Sequence, residues 1–315
     1  MAKKENGAAL SILKSRLSSN DIGRLYLFWG EERYLLEYYL REIKKRIVSE
    51  DESNYEVITG KSLTPESFSD AVLTCPMFAE RKLVVVRDYD ILSPDSKLKQ
   101  TAEELLSDLP DYICLIFAYG QEQEPCGRKN KTIEAVFNET GLAVEFARQS
   151  DSDLRRWVVR RFSALDKTCY DREADAIVRL SGGLMFTALP EIEKVAAYAR
   201  GGVITKEDID AVATPSAEVL VYQLTDAVIS RSAARSLDLL NSLYNQSVMP
   251  MDAYKGIARA FKQLYCARLL LDAGKGASEL FELCRLKEFR ADIVLKHASR
   301  FRTEVLRKCI FTCVD

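Results

Sequence analysis

The sequence of 315 residues predicts a parallel α/β sheet domain followed by two all-helical segments. Two observations support this fold class. Short apolar stretches of strand length alternate with helical patterns through residue 146, and no strand pattern follows. Thr214-Pro215 then interrupts the helical remainder, because the residue before proline is pushed away from helical conformation. The predicted divisions are residues 1–146 for the sheet domain, 147–213 for a small helical domain and 214–315 for a larger one.

The strand predictions rest on runs rich in β-branched and aromatic residues. A helix over 31–48 and the helix cap at Thr64-Pro65 fall between them, so that helices connect successive strands, as in a parallel sheet. The predicted strands cover residues 25–29, 55–59, 83–87, 112–117 and 143–146.

Capping signals divide the helical part of the chain. Ser150 and Asp171 are predicted to cap the first two helices, and Gly182-Gly183 separates the second from the third. Thr205 with Asp208 has the spacing of a capping box. Further breaks are expected at Met249-Pro250 and at Gly274 to Gly276, which lie within the larger helical segment.

Composition excludes several classes of protein. A chain that is 47% hydrophobic with a net charge of -2 can bury a core, so it is not predicted to be disordered. Its apolar runs are too short to span a bilayer, and no apolar segment follows the N-terminal lysines, so the predicted location is cytoplasmic. In that reducing compartment the 8 cysteines are expected to be free thiols. His297, the single histidine, excludes a histidine-rich zinc site and is expected on a surface or partly buried helix.

Residues 255–308 are basic, with 13 Lys and Arg against 6 Asp and Glu. This excess indicates either an anionic partner or a solvated helical face. The aromatic side chains of the segment have spacings that suit helix cores better than base stacking: Phe261, Tyr265, Phe281, Phe289 and Phe301.

The sequence lacks an intact nucleotide-binding loop. Gly60-Lys61-Ser62 resembles the end of a P-loop, but Tyr55 occupies the position of the required first glycine. After the first predicted strand, Glu31 and Glu32 stand where phosphates would bind, and their charge would repel a nucleotide. Gly60-Lys61-Ser62 is therefore predicted to be a polar turn.

Met77 and Phe78 follow Cys75-Pro76 in a loop just before the third predicted strand. Two interpretations fit them. Both side chains could fill the seam between sheet and helix as core residues, or they could form an apolar projection that fills a pocket on a partner.

Three stretches together resemble the delta subunit of the bacterial DNA polymerase III clamp loader. They cover residues 25–35, 76–86 and 191–194, and the resemblance extends in order over nearly the whole chain. It implies an AAA-plus-like α/β domain without a functional P-loop, a three-helix lid domain and a helical collar domain. Members of that family run about two dozen residues further, so the collar of this chain is expected to be shortened at its C-terminus.

The resemblance also implies a function. The family binds the DNA sliding clamp, its beta subunit, and holds the clamp interface open for loading onto primed DNA, together with the gamma/tau and delta prime subunits. Met77 and Phe78 match the clamp-contacting residues, with Cys75 as a weaker neighbour. No cofactor, metal, catalytic residue or membrane contact is implied. ATP hydrolysis is not expected, because Met185 and Phe186 stand where ATPase relatives carry a nucleotide-sensing arginine.

Three alternatives remain open. An active AAA-plus ATPase would need the missing P-loop and the arginine. A helical nucleic-acid-binding adaptor would use the basic 255–308 segment. An unrelated adaptor could also use the same fold.

Overall fold

A computed structural model describes residues 2–48, 52–93, 97–120, 131–230, 232–284 and 294–312. The strands are β1 Leu25–Gly30, β2 Tyr55–Thr59, β3 Lys82–Arg87, β4 Ile113–Gly120 and β5 Leu142–Glu145. The helices of the sheet domain are α1 Ala2–Ser19, α2 Arg33–Ile47, α3 Pro65–Leu73, α4 Lys99–Ser107 and α5 Lys131–Glu139. After them come α6 Asp151–Ser163, α7 Asp171–Leu180, α8 Met185–Tyr198, α9 Lys206–Val212, α10 Ala217–Ile229, α11 Ala233–Asn245, α12 Pro250–Asp272, α13 Ala277–Cys284 and α14 Thr303–Thr312.

The five described strands form one parallel sheet in the order β2-β3-β4-β1-β5. This confirms the predicted parallel α/β sheet and the position of each strand within a few residues. The main difference is at β4, which continues to Gly120 because its pairing with β1 extends to Gly30. Apolar composition predicted the middle of that strand, whereas its end is set by the neighbouring backbone.

Helices cover both faces of the sheet. Alternate residues of β1 point to opposite faces. Tyr26 and Phe28 pack with α1 and α2, while Leu25 and Leu27 pack with α3, α4 and α5. The central strands are therefore buried on both sides, as a parallel sheet requires.

Residues 147–213 contain four helices, one more than the resemblance implied. The fourth, α9, is short, and the Thr205–Asp208 capping box is present in full at its start. The Ser150 cap is confirmed by its bond from the Asp153 N–H. Asp171 does not cap α7; Tyr170 is the N-cap, and Asp171 lies in the first turn, where its charge complements the helix dipole.

The segment after residue 213 is helical in the part that the structure describes. α12 begins at Pro250 and ends at Asp272, so both predicted breaks are confirmed. α10 and α12 approach closely at Gly256, where an added Cβ would lie 2.2 Å from the Val221 Cγ1 atom. Phe261 is buried, and Tyr265 and Phe301 pack on the same core, as their spacing predicted; the Phe281 side chain and Phe289 lie outside the described part.

The six described cysteines are free, in agreement with prediction, while Cys126 and Cys313 lie outside the described residues. His297 is half-buried in a helical stretch over 294–298, also as predicted. Among the residues described, none belongs to a helix long and apolar enough to cross a membrane.

Candidate functional site

The loop between α3 and β3 lies at the amino edge of the sheet, where the parallel strands begin. Four backbone segments meet there for a topological reason: each comes shortly before one of four neighbouring strands. They are Ile22-Gly23 before β1, Asn54 before β2, Arg81 before β3 and Tyr112 before β4. Residues far apart in the chain are thereby brought around one loop.

Met77 and Phe78 are exposed at this loop, with fractional exposures of 60% and 103%. The interpretation of both as core residues is therefore wrong. Cys75 is exposed beside them, and Leu73, at the end of α3, is half exposed. Together Leu73, Cys75, Met77 and Phe78 form an apolar projection, which we call the loop tip. A fully exposed Phe leaves its ring in water, an unfavourable arrangement that a partner's pocket would relieve.

The backbone of the loop tip is held by Asn54. The Asn54 side-chain amide donates from Nδ2 to the Met77 carbonyl at 2.8 Å, and its Oδ1 accepts from the Met77 N–H at 2.7 Å. Asn54 itself is buried, in a short 3-10 helix covering Glu52–Asn54. One side chain thus satisfies both backbone groups of the residue that precedes Phe78.

Two further anchors fix the ends of the loop. The Tyr112 hydroxyl donates to the Leu73 carbonyl at 2.8 Å. Desolvation, and after it the hydrogen bond with the Cys75 thiol, raises the pKa of Tyr112. At the other end, the Arg81 guanidinium donates to the carbonyls of Ile22 at 2.7 Å and Gly23 at 3.0 Å. The loop is therefore tied to the strand-entry segments on both sides.

Phe78 adopts a left-handed backbone conformation, with φ of 51°. This region is unfavourable for a bulky residue and costs about 1–3 kcal/mol when surrounding contacts impose it. The hydrogen bonds that hold the neighbouring residues offset this cost. Packing of the ring does not, because the ring is exposed. The strained backbone directs the ring outward.

The opposite, carboxyl edge of the sheet is where α/β proteins bind nucleotides. Here β1 ends at Gly30, whose φ is 131°, and an added Cβ would lie 2.3 Å from the Phe146 carbonyl oxygen. The Glu32 N–H donates to that same carbonyl at 2.9 Å. The turn after β1 is therefore pressed against the end of β5.

The Glu32 carboxylate occupies the space at the turn after β1. Glu32 is completely buried, and its Oε2 atom accepts a hydrogen bond of 3.1 Å from the N–H of Met185, the first residue of α8. Oε1 has no hydrogen-bond partner among the described residues. Burial raises the pKa of Glu32, and backbone N–H groups, that of Met185 foremost, oppose the rise. A carboxylate thus occupies the helix N-terminus, the kind of place where phosphates are commonly bound.

Arg148 lies beside the contact between Glu32 and Met185. It lies 3.8 Å from Glu31 Oε2 and donates from Nε to the Gly183 carbonyl at 3.2 Å and from Nη2 to the Gly182 carbonyl. Phe186 is exposed, whereas Met185 is buried. The arginine therefore connects the sheet domain to the turn before α8.

Gly60-Lys61-Ser62 forms the polar turn that was predicted. The Gly60 N–H donates to the Arg87 carbonyl at 2.7 Å, and the Ser62 N–H donates to the Thr59 carbonyl at 3.0 Å. Lys61 is exposed. Among the described residues, no group of His, Cys, Asp and Glu side chains is arranged to hold a metal ion.

A second apolar surface lies on the helices after residue 213. On α11 the exposures are 61% at Leu237, 43% at Leu240 and 80% at Tyr244, whereas Leu243 is buried. Met249 and Met251, where α12 begins, are also exposed. We call these five exposed residues the collar patch. Five exposed large apolar side chains on α11 and at the start of α12 are more than the single, scattered ones expected on a surface, so they mark a candidate interface.

Sequence reasoning placed Met77, Phe78 and Cys75 together but missed Asn54 and Tyr112. The available signal was topological: both residues immediately precede strands that lie beside β3 in the sheet. Tyr112 was instead assigned to the strand itself. Glu31 and Glu32 were recognised as unfavourable for a nucleotide, but the contact from Glu32 to Met185 was not.

Comparisons with known proteins agree with this architecture. Residues 26–139 match the family model of the DNA polymerase III delta subunit, and residues 218–315 match the model of its C-terminal domain. The DNA polymerase III subunit delta of Bacillus subtilis (strain 168) is 22% identical over 303 residues, covering 93% of this chain and 86% of that one. A probable DNA polymerase III subunit delta of Aquifex aeolicus (strain VF5) is 23% identical over 274 residues, covering 84% and 76%.

A solved structure shares the fold. The Bacillus subtilis DNA clamp loader delta protein superposes with a TM-score of 0.59 at 19% identity, covering 96% of this chain and 91% of that chain. The predicted fold class, a parallel α/β sheet followed by helical segments, is confirmed. With both family models matched in chain order, and relatives of the same description aligned along most of its length, this chain belongs to the family of DNA polymerase III delta subunits.

Proposed function

We propose that this chain binds the DNA sliding clamp through Met77 and Phe78, with Cys75 at the margin, and holds the clamp interface open for loading onto primed DNA. The observation that carries the proposal is the full exposure of Phe78 on an anchored loop in a delta-subunit chain. An apolar anchor entering a pocket gains about 1.5–3 kcal/mol per buried side chain before ordering costs.

Opening of the clamp needs no covalent step. If the loop tip binds the strained, open interface more tightly than the closed one, the clamp equilibrium shifts by the difference in affinity. The gamma/tau and delta prime subunits are the proposed partners in the loader, and the collar patch is the proposed contact with them. A solved relative named as a clamp loader delta protein supports a place in a clamp loader, and the exposed apolar side chains of the collar patch support the proposed contact.

The chain is proposed to be a subunit without ATPase activity. Support comes from Glu32, whose buried carboxylate accepts a hydrogen bond from the Met185 N–H at the start of α8. Its negative charge would repel a phosphate brought to the same place. The competing interpretation as an ATPase is less well supported for this reason. A nucleic-acid-binding adaptor is less well supported because Phe261, Tyr265 and Phe301 pack within the helical core instead of lying free for stacking.

The test is clamp binding by a double variant, Met77→Ala with Phe78→Ala. Binding should fall by two or more orders of magnitude, as expected for central apolar anchors. The melting temperature should hardly change, because exposed residues contribute little to stability. Surface plasmon resonance against the clamp of the same host, with a thermal melt, measures both.

The matched control replaces a Phe and a Met that are also exposed but lie away from the loop, Phe186 at 59% and Met249 at 65%, with Ala. It should bind the clamp like the wild type. Equal binding by the double variant and the wild type would disprove the proposed site. For opening, the wild type should accelerate release of clamps from circular DNA, and the double variant should not.

A further inference from the structure

We propose that Asn54 is a positioning residue that presets the loop tip for binding, an inference that rests on the proposed function. Its amide holds both backbone groups of Met77, at 2.7 and 2.8 Å, from a position 23 residues earlier in the chain. Asn54 does not belong to the exposed apolar surface, since it is buried beneath it.

The chemistry of the contact requires an amide. Met77 presents one donor, its N–H, and one acceptor, its carbonyl, and a single Asn side chain complements both. A carboxylate at position 54 could accept from the N–H but would place negative charge against the carbonyl oxygen. An aliphatic side chain could satisfy neither group.

Asn54 is held by the pairing of β2 with β3. Asn54 directly precedes β2, and the adjacent residue, Tyr55, pairs with Leu83 of β3 at the start of the ladder. Because Leu83 follows the loop by only a few residues, the side chain and the loop are fixed to the same pair of strands. Movement of the loop tip relative to Asn54 therefore requires breaking the two hydrogen bonds and not merely bending the sheet.

The position of Phe78 explains why such an anchor is needed. Its left-handed backbone is unfavourable, and its exposed ring makes no packing contact that would offset the cost. Without the Asn54 contacts, the loop would populate conformations in which Phe78 leaves that region. Apparent affinity falls in proportion to the population of the competent conformation, so a loop that is competent about one tenth of the time binds about tenfold more weakly.

The predicted signature is kinetic. Asn54→Ala should slow association with the clamp by about tenfold, because fewer molecules hold the competent loop, and should leave dissociation nearly unchanged. Loss of the anchoring side chain in Phe78→Ala should instead accelerate dissociation. Surface plasmon resonance on the full chain measures both rates, and hydrogen exchange should show faster exchange of the Met77 amide in Asn54→Ala.

A double-substitution cycle separates positioning from a direct contact. When Phe78 is already Ala, the change Asn54→Ala should have much less effect on affinity, because the residue it positions is gone. If Asn54→Ala destabilises the fold, Asn54→Asp has the same size and should also slow association, since it loses the donor to the Met77 carbonyl. Asn20→Asp, an exposed asparagine whose φ of 58° Asp tolerates, is the control for added charge.

Failure of this inference differs from failure of the proposed function. If the Met77 and Phe78 double variant binds the clamp like the wild type, the proposed function is wrong and the positioning role goes with it. If that variant loses binding but Asn54→Ala associates at the wild-type rate, the function stands and the inference is overturned. The inference would also be overturned if Asn54→Ala lowered clamp affinity as much in the Phe78→Ala background as in the wild type.

Discussion

Single residues set the chemistry at both edges of the sheet, and Glu32 gives the clearest case. Burial raises its pKa above the ordinary value of 4.5, so the folded state holds its proton more tightly than the unfolded state. Stability contributed by this group is therefore greatest at low pH and is lost as pH rises from 4.5 through the raised pKa.

Glu32→Gln, which cannot ionise, tests that dependence. The free energy of unfolding of the wild type should fall relative to the variant as pH rises, by about 1.4 kcal/mol for each unit by which the pKa is raised. Urea denaturation at a series of pH values measures it. A wild type that gains stability relative to Glu32→Gln over this range would show that Met185 and Arg148 outweigh burial.

Residue-scale contacts also show where sequence reasoning ends. The caps at Ser150 and Thr205 were predictable, because each involves groups three residues apart. The Asn54–Met77 contact spans 23 residues and the Glu32–Met185 contact spans 153. Neither has a local signal: the first exists only when the strands of the sheet have assembled, and the second only when the sheet packs against the helix that begins at Met185.

Elements were predicted best where local chemistry and packing agree. β1 and β3 are buried, β-branched or aromatic, and bounded by polar residues, so composition alone located them. The exposure of Phe78 could not be decided in that way, because an apolar residue before a strand suits a core equally well. The question is resolved only in the folded chain, where Phe78 is fully exposed on the loop that Asn54 holds.

The contact between α10 and α12 makes a prediction at the scale of elements. Gly256→Ala would place a Cβ 2.2 Å from the Val221 Cγ1 atom, and the stiff β-branched side chain cannot turn away freely. The substitution should destabilise the chain by about 1–3 kcal/mol despite the higher helix propensity of Ala. Chemical denaturation provides the measurement.

Val221→Ala should restore stability to Gly256→Ala, because it removes the methyl group that clashes. Gly7→Ala in α1 is the matched control, since nothing lies within 4 Å of its added Cβ. That control should stabilise the chain by up to about 1 kcal/mol. Tolerance of Gly256→Ala in the presence of Val221 would contradict the close approach of the two helices.

At the scale of the whole molecule, the loop tip precedes β3 of the sheet and the collar patch lies on α11 and the start of α12, so we expect the two surfaces to act separately. Leu237→Glu with Tyr244→Glu would place charges on the exposed patch without disturbing the core. Such a variant should lose co-assembly with the gamma/tau and delta prime subunits, because charge is unfavourable at the centre of an interface. Its binding to the isolated clamp should equal that of the wild type.

Size-exclusion chromatography with the partner subunits, paired with clamp binding, gives the result. Lys206→Glu is a suitable charge control, because it would disturb only the exposed ion pair between Lys206 and Asp210 of α9. Normal assembly of the Leu237 and Tyr244 variant would move the subunit contact elsewhere on the chain.

β3 runs from the amino edge of the sheet to the carboxyl edge: it begins just after the loop tip and ends at Arg87. Arg87 forms a bidentate ion pair with Glu37 of α2. A strand of six residues is about 20 Å long. The loop tip is therefore separated by about the length of one strand from the edge of the sheet where Glu32 contacts Met185. If the sheet turned as a rigid body by about 10° about that contact, Phe78 would move through about 3.5 Å, so a small change at the carboxyl edge would be felt as a displacement of the loop tip at the amino edge.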